Sequence, residues 1–162
     1  MLLNDNKSIL VIDNDEIITR NLREYFSSNG YNVSTVADDK ELLSKVQQLQ
    51  SSVIILDFHL KSNNALNLLN ELVKLENTPI IIVTISNPSV DIIISAYRKG
   101  AFDVIVKPFD MHELSDIVKK AFKKYSMNVY LQNNSKNMEK YRKYFNGKGI
   151  SFEEEVSDEL VL

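Results

Sequence analysis

Four side chains that can bind or accept a phosphoryl group each stand at the end of a separate apolar run: Asp13, Asp57, Thr84 and Lys107. Carboxylates at adjoining strand ends can hold a hard cation such as Mg²⁺, and a carboxylate can attack phosphorus as a nucleophile. A threonine hydroxyl and a lysine ammonium group can each donate a hydrogen bond to a phosphoryl oxygen. The four residue types therefore fit a phosphoryl-accepting site with Asp57 as the nucleophile.

Each of these residues also has an ordinary structural interpretation. Asp13 and Asp57 are of the type that caps helices or forms turns. Thr84 suits the end of a strand, and Lys107 suits a solvated surface. No single residue decides between the two interpretations, but the recurrence of reactive groups at the ends of four apolar runs favours a shared site.

The apolar runs alternate with helical patterns along the chain. Continuous aliphatic runs such as Val53–Leu56 and Ile80–Val83 are typical of strands that are buried on both faces of a parallel sheet. A helical spacing of apolar residues follows each run, and Asp38 or Asp39 is predicted to cap the second helix. The predicted strands are Ser8–Ile12, Tyr31–Val36, Val53–Leu56, Ile80–Val83 and Val104–Val106.

Repeated strand–helix units predict an α/β fold with a doubly wound parallel sheet covered by helices on both faces. The carboxyl ends of parallel strands meet at one edge of the sheet, which is where such folds bind ligands. We therefore expect the four reactive side chains to converge at that edge.

Composition narrows the class of protein. The 162 residues are 44% hydrophobic and 25% charged, as in ordinary globular proteins. A formal net charge of −3 gives no support for binding to nucleic acid. The sequence has no cysteine, which excludes disulfides and thiolate chemistry. No apolar run approaches membrane-spanning length and the first residues lack a signal-peptide pattern, so we expect a cytoplasmic protein with no membrane partner.

Four motifs carry a resemblance to a known family: Ile9–Asp15, Ile54–Asp57, Ile81–Thr84 and Gly100–Phe109. On these motifs the chain resembles the receiver domains of two-component response regulators, the CheY-like family, over roughly residues 7 to 124. The resemblance implies a flavodoxin-like (βα)5 fold with strand order 2-1-3-4-5 and a cis peptide bond between Lys107 and Pro108.

The resemblance also implies a function. A histidine kinase or phosphotransfer protein would donate a phosphoryl group to Asp57, with Thr84 and Lys107 assisting and Mg²⁺ as cofactor. The chain would then signal through protein–protein contacts or dimerisation and would not be an enzyme. The implied metal ligands are Asp13, Asn14, Asp57 and the backbone carbonyl of His59.

Three departures from the family pattern favour an alternative function. The family usually has an acid where this chain has Asn14, which predicts weaker Mg²⁺ binding. Ile85 stands where a small residue is preferred and is predicted to slow phosphotransfer or to shield the acyl phosphate from water. Val104 replaces the aromatic residue that the family rotates on activation. The alternative is a pseudo-receiver that binds a partner constitutively, without phosphorylation.

Enzymes with a related fold fit the sequence less well. Asp-Asn-Asp follows the first strand in place of a small-residue cradle for a flavin phosphate, and His59 stands where a haloacid dehalogenase phosphatase needs a second aspartate.

The predicted receiver domain covers residues 1–124, and residues 125–162 form an extension that is not an independent domain. Ser126–Phe145 can prolong the last helix, although the polar stretch Gln132–Asn137 interrupts its apolar stripe. The segment Lys136–Lys148 combines basic residues with aromatics. We favour a solvated helix face whose aromatics pack on the receiver or on a second subunit, and a contact with nucleic acid is the alternative. Ile150–Leu162 is predicted to be an acidic tail or a short docking strand. We expect a homodimer through the last helix and the extension.

Overall fold

The computed structural model describes residues 7–147, along which strands and helices alternate. The strands are β1 (Ser8–Ile12), β2 (Asn32–Val36), β3 (Val53–Asp57), β4 (Ile80–Ile85) and β5 (Asp103–Val106). The helices are α1 (Glu16–Ser28), α2 (Leu42–Leu49), α3 (Ala65–Leu72), α4 (Val90–Arg98) and α5 (Met111–Gly147). The strands form one parallel sheet in the order β2-β1-β3-β4-β5, which confirms the predicted doubly wound fold.

Alternate residues of the central strands enter two separate apolar layers. Leu10 and Ile54 belong to the layer that α2, α3 and α4 cover, whereas Ile9 and Ile55 belong to the layer that α1 and α5 cover. Phe26 of α1 is fully buried in this second layer. Because helices cover both faces of the sheet, its central strands are aliphatic at every position rather than at every second one.

Side chains at the start of the helices explain where most of them begin. Asp15 accepts hydrogen bonds from the backbone nitrogens of Ile17 at 2.8 Å and Ile18 at 3.2 Å, and so caps α1. The prediction that Asp38 or Asp39 caps α2 is wrong. The N-cap position of α2 is Glu41, which makes no capping hydrogen bond through its side chain.

Gly100 closes the connection between α4 and β5 and has a backbone angle φ of +107°, a conformation that L side chains rarely adopt. A Cβ atom at this position would lie 2.5 Å from Cγ1 of Val73, so the approach of the two segments also requires glycine. The Lys107–Pro108 peptide bond is cis, as the family resemblance implies.

Helix α5 runs without a break through Gln132–Asn137, so the polar stretch does not interrupt it. The chain divides after Tyr125 into two units. In the second unit, several large apolar side chains of α5 are exposed: Met127, Tyr130, Leu131, Met138, Tyr141 and Tyr144. The predicted acidic tail Ile150–Leu162 lies outside the described residues, and the status of residues 125–162 as a dependent extension stays a prediction. Within residues 7–147, no helix has the length and apolar character needed to cross a membrane.

Candidate functional site

The strand ends bring the predicted reactive residues to one edge of the sheet. Asp57 is the last residue of β3 and stands in register with Thr84 of β4. Asp13 directly follows β1, and Lys107 directly follows β5. The backbone nitrogen of Lys107 donates a hydrogen bond to the carbonyl of Ile85 at 2.8 Å, which continues the pairing of β4 and β5 as far as the site.

Lys107 connects the two carboxylates. Its Nζ donates to Asp13 Oδ2 at 2.7 Å and to Asp57 Oδ1 at 3.2 Å, and all three side chains are at most 13% exposed. Burial lowers the pKa of Lys107, but the hydrogen bonds and negative charges of Asp13 and Asp57 outweigh it and hold that pKa above the ordinary lysine value. The lysine is therefore a permanent cation beside Asp57.

Asp13 is fixed from two sides. Its Oδ1 accepts a hydrogen bond from the backbone nitrogen of Asp15 at 2.8 Å, while its Oδ2 accepts the ammonium group of Lys107. The carboxylate thus joins the start of α1 to the end of β5 across the edge of the sheet. This arrangement holds Lys107 within reach of Asp57 and restricts both side chains to one geometry.

Thr84 carries a buried hydroxyl without a hydrogen-bond partner. Its side chain is 1% exposed, and its Oγ1 contacts no donor or acceptor within the part of the chain that the structure describes. A buried polar group left unpaired costs roughly 1–3 kcal/mol. The hydroxyl belongs to the residue in register with Asp57, at the same edge of the sheet as that carboxylate.

The predicted metal ligands are all oxygen donors, but few of them are charged. Within residues 7–147, no three histidine, cysteine, aspartate or glutamate side chains form a group that could hold a metal ion. Asp13 and Asp57 supply two carboxylates, and the Asn14 amide and the His59 carbonyl supply neutral oxygens. Since Mg²⁺ binds through one or two carboxylates together with water and substrate phosphates, this donor set fits Mg²⁺.

The side chains of Asn14 and His59 have other partners. The Asn14 amide nitrogen donates to Asp38 Oδ2 at 3.4 Å, which leaves the amide oxygen as the atom that can bind a cation. The imidazole of His59 lies on the exposed surface with Nε2 3.0 Å from the backbone carbonyl of Ser86. The ring therefore has a partner of its own, and the role of the His59 backbone carbonyl as a metal ligand stays a prediction.

Asp38 belongs to this edge as well, although the sequence pattern predicted only a helix cap for it. Its carboxylate accepts hydrogen bonds from the backbone nitrogens of Lys61 and Ser62 and from the amide of Asn63 at 2.6 Å. Asp38 is the second residue after the end of β2, whereas Asp13 directly follows β1. Its place near the end of a predicted strand was only a partial signal.

The three departures from the family pattern lie close to the site. Asn14 stands next to Asp13, and Ile85 follows Thr84 and is 1% exposed. Val104 is half-buried in β5 and packs on the apolar layer beneath α2, α3 and α4. Their predicted effects on Mg²⁺ affinity, phosphotransfer and switching stay predictions.

A five-stranded doubly wound sheet with two aspartates, a threonine and a lysine at its carboxyl edge defines a receiver-type domain. The family model described as "Response regulator receiver domain" matches residues 9–119. The chain belongs to this family, as its motifs indicated.

Individual proteins that are similar in sequence or structure are also response regulators or receiver domains. Response regulator ArlR of Staphylococcus aureus (strain Mu50 / ATCC 700699) is 35% identical over 106 residues, which are 65% of this chain and 48% of that protein. The chain thus matches about half the length of these curated relatives. The receiver domain of NtrC4, solved in solution as a beryllofluoride-activated dimer, is 30% identical with a TM-score of 0.68, and the match covers 74% of this chain and 98% of that one.

A second solved structure, the receiver domain of the Francisella response regulator 1452, is 28% identical with a TM-score of 0.67 over 74% of this chain and 98% of that one. A CheY-like receiver domain protein from Methanospirillum hungatei JF-1 is 23% identical with a TM-score of 0.70 over 75% of this chain and 98% of that one. That similarity shows the fold alone.

Proposed function

We propose that Asp57 accepts a phosphoryl group from a histidine kinase or phosphotransfer protein, with Mg²⁺ as cofactor, and that the chain acts as a signalling phosphoacceptor and not as an enzyme. The observation that carries this proposal is the unpaired, buried hydroxyl of Thr84 beside Asp57, in register on the neighbouring strand. A hydroxyl kept unpaired at this cost is suited to a ligand oxygen that the protein itself does not supply.

In the proposed transfer, a carboxylate oxygen of Asp57 forms a bond to phosphorus as the bond from phosphorus to the donor nitrogen breaks. The donor histidine keeps the electron pair of that bond, and Asp57 becomes an acyl phosphate. Thr84 donates its hydroxyl hydrogen to one phosphoryl oxygen, and Lys107 places its ammonium group on another. When bound, Mg²⁺ neutralises negative charge on the phosphoryl group. Asp13, Asn14, Asp57 and the carbonyl of His59 would hold it.

Intact-protein mass after incubation with acetyl phosphate tests this proposal. We expect the gain of one phosphoryl group that requires Mg²⁺ and is absent in Asp57→Asn. Asp116→Asn is the matched control, because Asp116 is an exposed aspartate of α5 with 72% of its side chain accessible, and it should react as the wild type does. A gain that persists in Asp57→Asn would contradict the assignment of the acceptor.

The pseudo-receiver remains the second candidate, and one observation favours it. Within the described residues no cluster of three acidic or histidine side chains could hold a metal, so Mg²⁺ would bind through a weakly charged site. Absence of any phosphoryl gain at high Mg²⁺ concentration, for a protein that is folded by circular dichroism, would support a module that binds its partner constitutively.

The exposed apolar side chains of α5 support homodimerisation as part of the output. Leu131 is 54% exposed and Met138 is 47% exposed on a helix that runs to Gly147. The similar NtrC4 receiver domain is a dimer in its beryllofluoride-activated form. We expect the chain to sediment as a dimer after treatment with beryllofluoride and the variant Leu131→Glu/Met138→Glu to sediment as a monomer. A dimer that survives this change would place the contact elsewhere.

A further inference from the structure

Asp38 binds the loop that follows the phosphoacceptor Asp57. Its Oδ2 accepts hydrogen bonds from the backbone nitrogens of Lys61 and Ser62, the latter at 2.7 Å, and its Oδ1 accepts one from the Asn63 side chain. These three residues belong to the connection between Asp57 at the end of β3 and the start of α3. One carboxylate thus fixes three successive residues of the loop that leaves the acceptor.

The loop is held at both ends, since Phe58 and Leu60 pack on an apolar layer and Asn64 caps α3. Residues 58–64 contain no proline, and Lys61 and Ser62 are exposed to solvent. Between these ends, Asp38 restrains Lys61, Ser62 and Asn63 through hydrogen bonds, and those to a charged acceptor are the stronger kind. Asn63 strengthens the attachment, since its amide nitrogen also donates to the backbone carbonyl of Asp39 at 2.9 Å.

The same carboxylate reaches the other side of the site. Asp38 Oδ2 accepts the amide nitrogen of Asn14, the neighbour of Asp13. Burial raises the pKa of Asp38, but the hydrogen bonds from Asn63, Ser62, Lys61 and Asn14 outweigh it, so that pKa lies below the ordinary aspartate value. Asp38 is therefore charged at neutral pH and holds its donors as a carboxylate.

We propose that Asp38 is a positioning residue of the phosphoacceptor site, which joins the loop after Asp57 to the Asn14 amide and so sets the geometry in which Asp57 reacts. The inference rests on the function proposed above and goes beyond it, since it assigns a role to a residue outside the acceptor, hydroxyl and lysine set. Asp38 contacts neither the phosphoryl group nor Asp57 and acts through the residues that it holds.

The test compares Asp38→Ala and Asp38→Asn with Asp39→Asn as the matched control. Asp39 is the adjacent aspartate, but its carboxylate pairs with Lys45 at 2.6 Å and accepts the backbone nitrogen of Glu41. The loop contacts the backbone carbonyl of Asp39, which the change to asparagine keeps. Two quantities are measured: the rate of phosphoryl uptake from acetyl phosphate at saturating donor and Mg²⁺, and the hydrogen exchange of the Lys61 and Ser62 amides by nuclear magnetic resonance.

For Asp38→Ala we expect the maximal rate to fall about tenfold, since small misplacements around a reacting group have effects of this size. The exchange of both amides should accelerate about tenfold, and the control variant should leave both quantities unchanged. Saturating conditions separate lost positioning from weaker binding of donor or metal. If Asp38→Ala misfolds, Asn63→Ala removes one donor from the opposite side and should slow uptake in the same direction.

The outcomes separate this inference from the function on which it rests. Wild-type protein that takes up no phosphoryl group would overturn the proposed function and this inference with it. Uptake by the wild type together with an unchanged rate in both Asp38 variants would overturn the positioning role alone. Faster amide exchange with an unchanged rate would show a merely structural clamp and would also refute the proposal.

Discussion

Replacing Thr84 by valine should stabilise the protein while it impairs phosphoryl uptake. Valine has nearly the same shape as threonine but carries a methyl group in place of the hydroxyl. In most buried positions this exchange costs stability, because it removes a satisfied hydrogen bond. Here Oγ1 of Thr84 is buried without a partner in the described part of the chain, so the exchange removes an unpaired polar atom instead.

The magnitude follows from the burial of the residue. Thr84 is 1% exposed, so its hydroxyl bears nearly the whole desolvation cost, roughly 1–3 kcal/mol. We expect Thr84→Val to raise the free energy of unfolding by about 1–2 kcal/mol, equivalent to an increase of about 3–6 °C in Tm for a domain of this size. Uptake from acetyl phosphate should fall at least about tenfold, because one donor to the phosphoryl group is lost.

Thr78→Val is the matched control. The hydroxyl of Thr78 is partly buried and donates to the backbone carbonyl of Leu75 at 2.8 Å. Its removal should cost about 1 kcal/mol, in the opposite direction to the change at Thr84, and should leave phosphoryl uptake unchanged. The two variants therefore differ chiefly in whether the lost hydroxyl was paired.

Urea denaturation followed by circular dichroism measures both free energies, and intact-protein mass follows uptake. A loss of stability in Thr84→Val would show that its hydroxyl has a partner in the folded protein, which would refute the argument that it is kept for a ligand oxygen. Higher stability with undiminished uptake would refute the assignment of the hydroxyl to the phosphoryl group.

Two further changes test the contacts that hold the site and the sheet. Lys107→Met leaves two nearly buried carboxylates without their cation, so we expect the free energy of unfolding to fall by about 3 kcal/mol and added Mg²⁺ to restore part of it. The exposed Lys74→Met should lower it by less than about 1 kcal/mol, and equal losses in urea denaturation would contradict the pairing. Gly100→Ala should be more destabilising than Gly30→Ala by about 1–3 kcal/mol. Both positions have positive φ, but only a Cβ at Gly100 would meet Val73. Similar unfolding curves would show that Val73 moves aside.

The sheet and the strand-end residues could be predicted because each depends on a short local pattern. The aliphatic runs that became β3 and β4 reveal strands buried on both faces, and the residue that ends such a run must lie where the sheet opens. Asp57 and Thr84 were found in this way. Helix α5 shows the limit of that reasoning, because the polar stretch Gln132–Asn137 has no apolar stripe and yet stays helical.

Asp38 could not be assigned from local pattern alone. Two of its four donors are backbone nitrogens, which every residue except proline possesses, so they leave no mark in the sequence. Its partners Lys61, Ser62 and Asn63 lie 23 to 25 positions further along the chain. The predicted helix cap uses the same ability of a carboxylate to accept backbone hydrogen bonds, but from residues two or three positions away.

The position of Asp38 gives a physical reason for the most conspicuous departure of this chain from its family. Asn14 occupies a place where an acid is usual, and its amide nitrogen is 3.4 Å from Asp38 Oδ2. An aspartate at position 14 would place two carboxylates at this separation without a proton or a cation between them, and like charges so close disfavour the ionised form of both. Asparagine removes that repulsion, donates to Asp38 and keeps an oxygen that can bind a cation. The amide at position 14 and the carboxylate at position 38 therefore form a hydrogen-bonded pair that two carboxylates at this separation could not form.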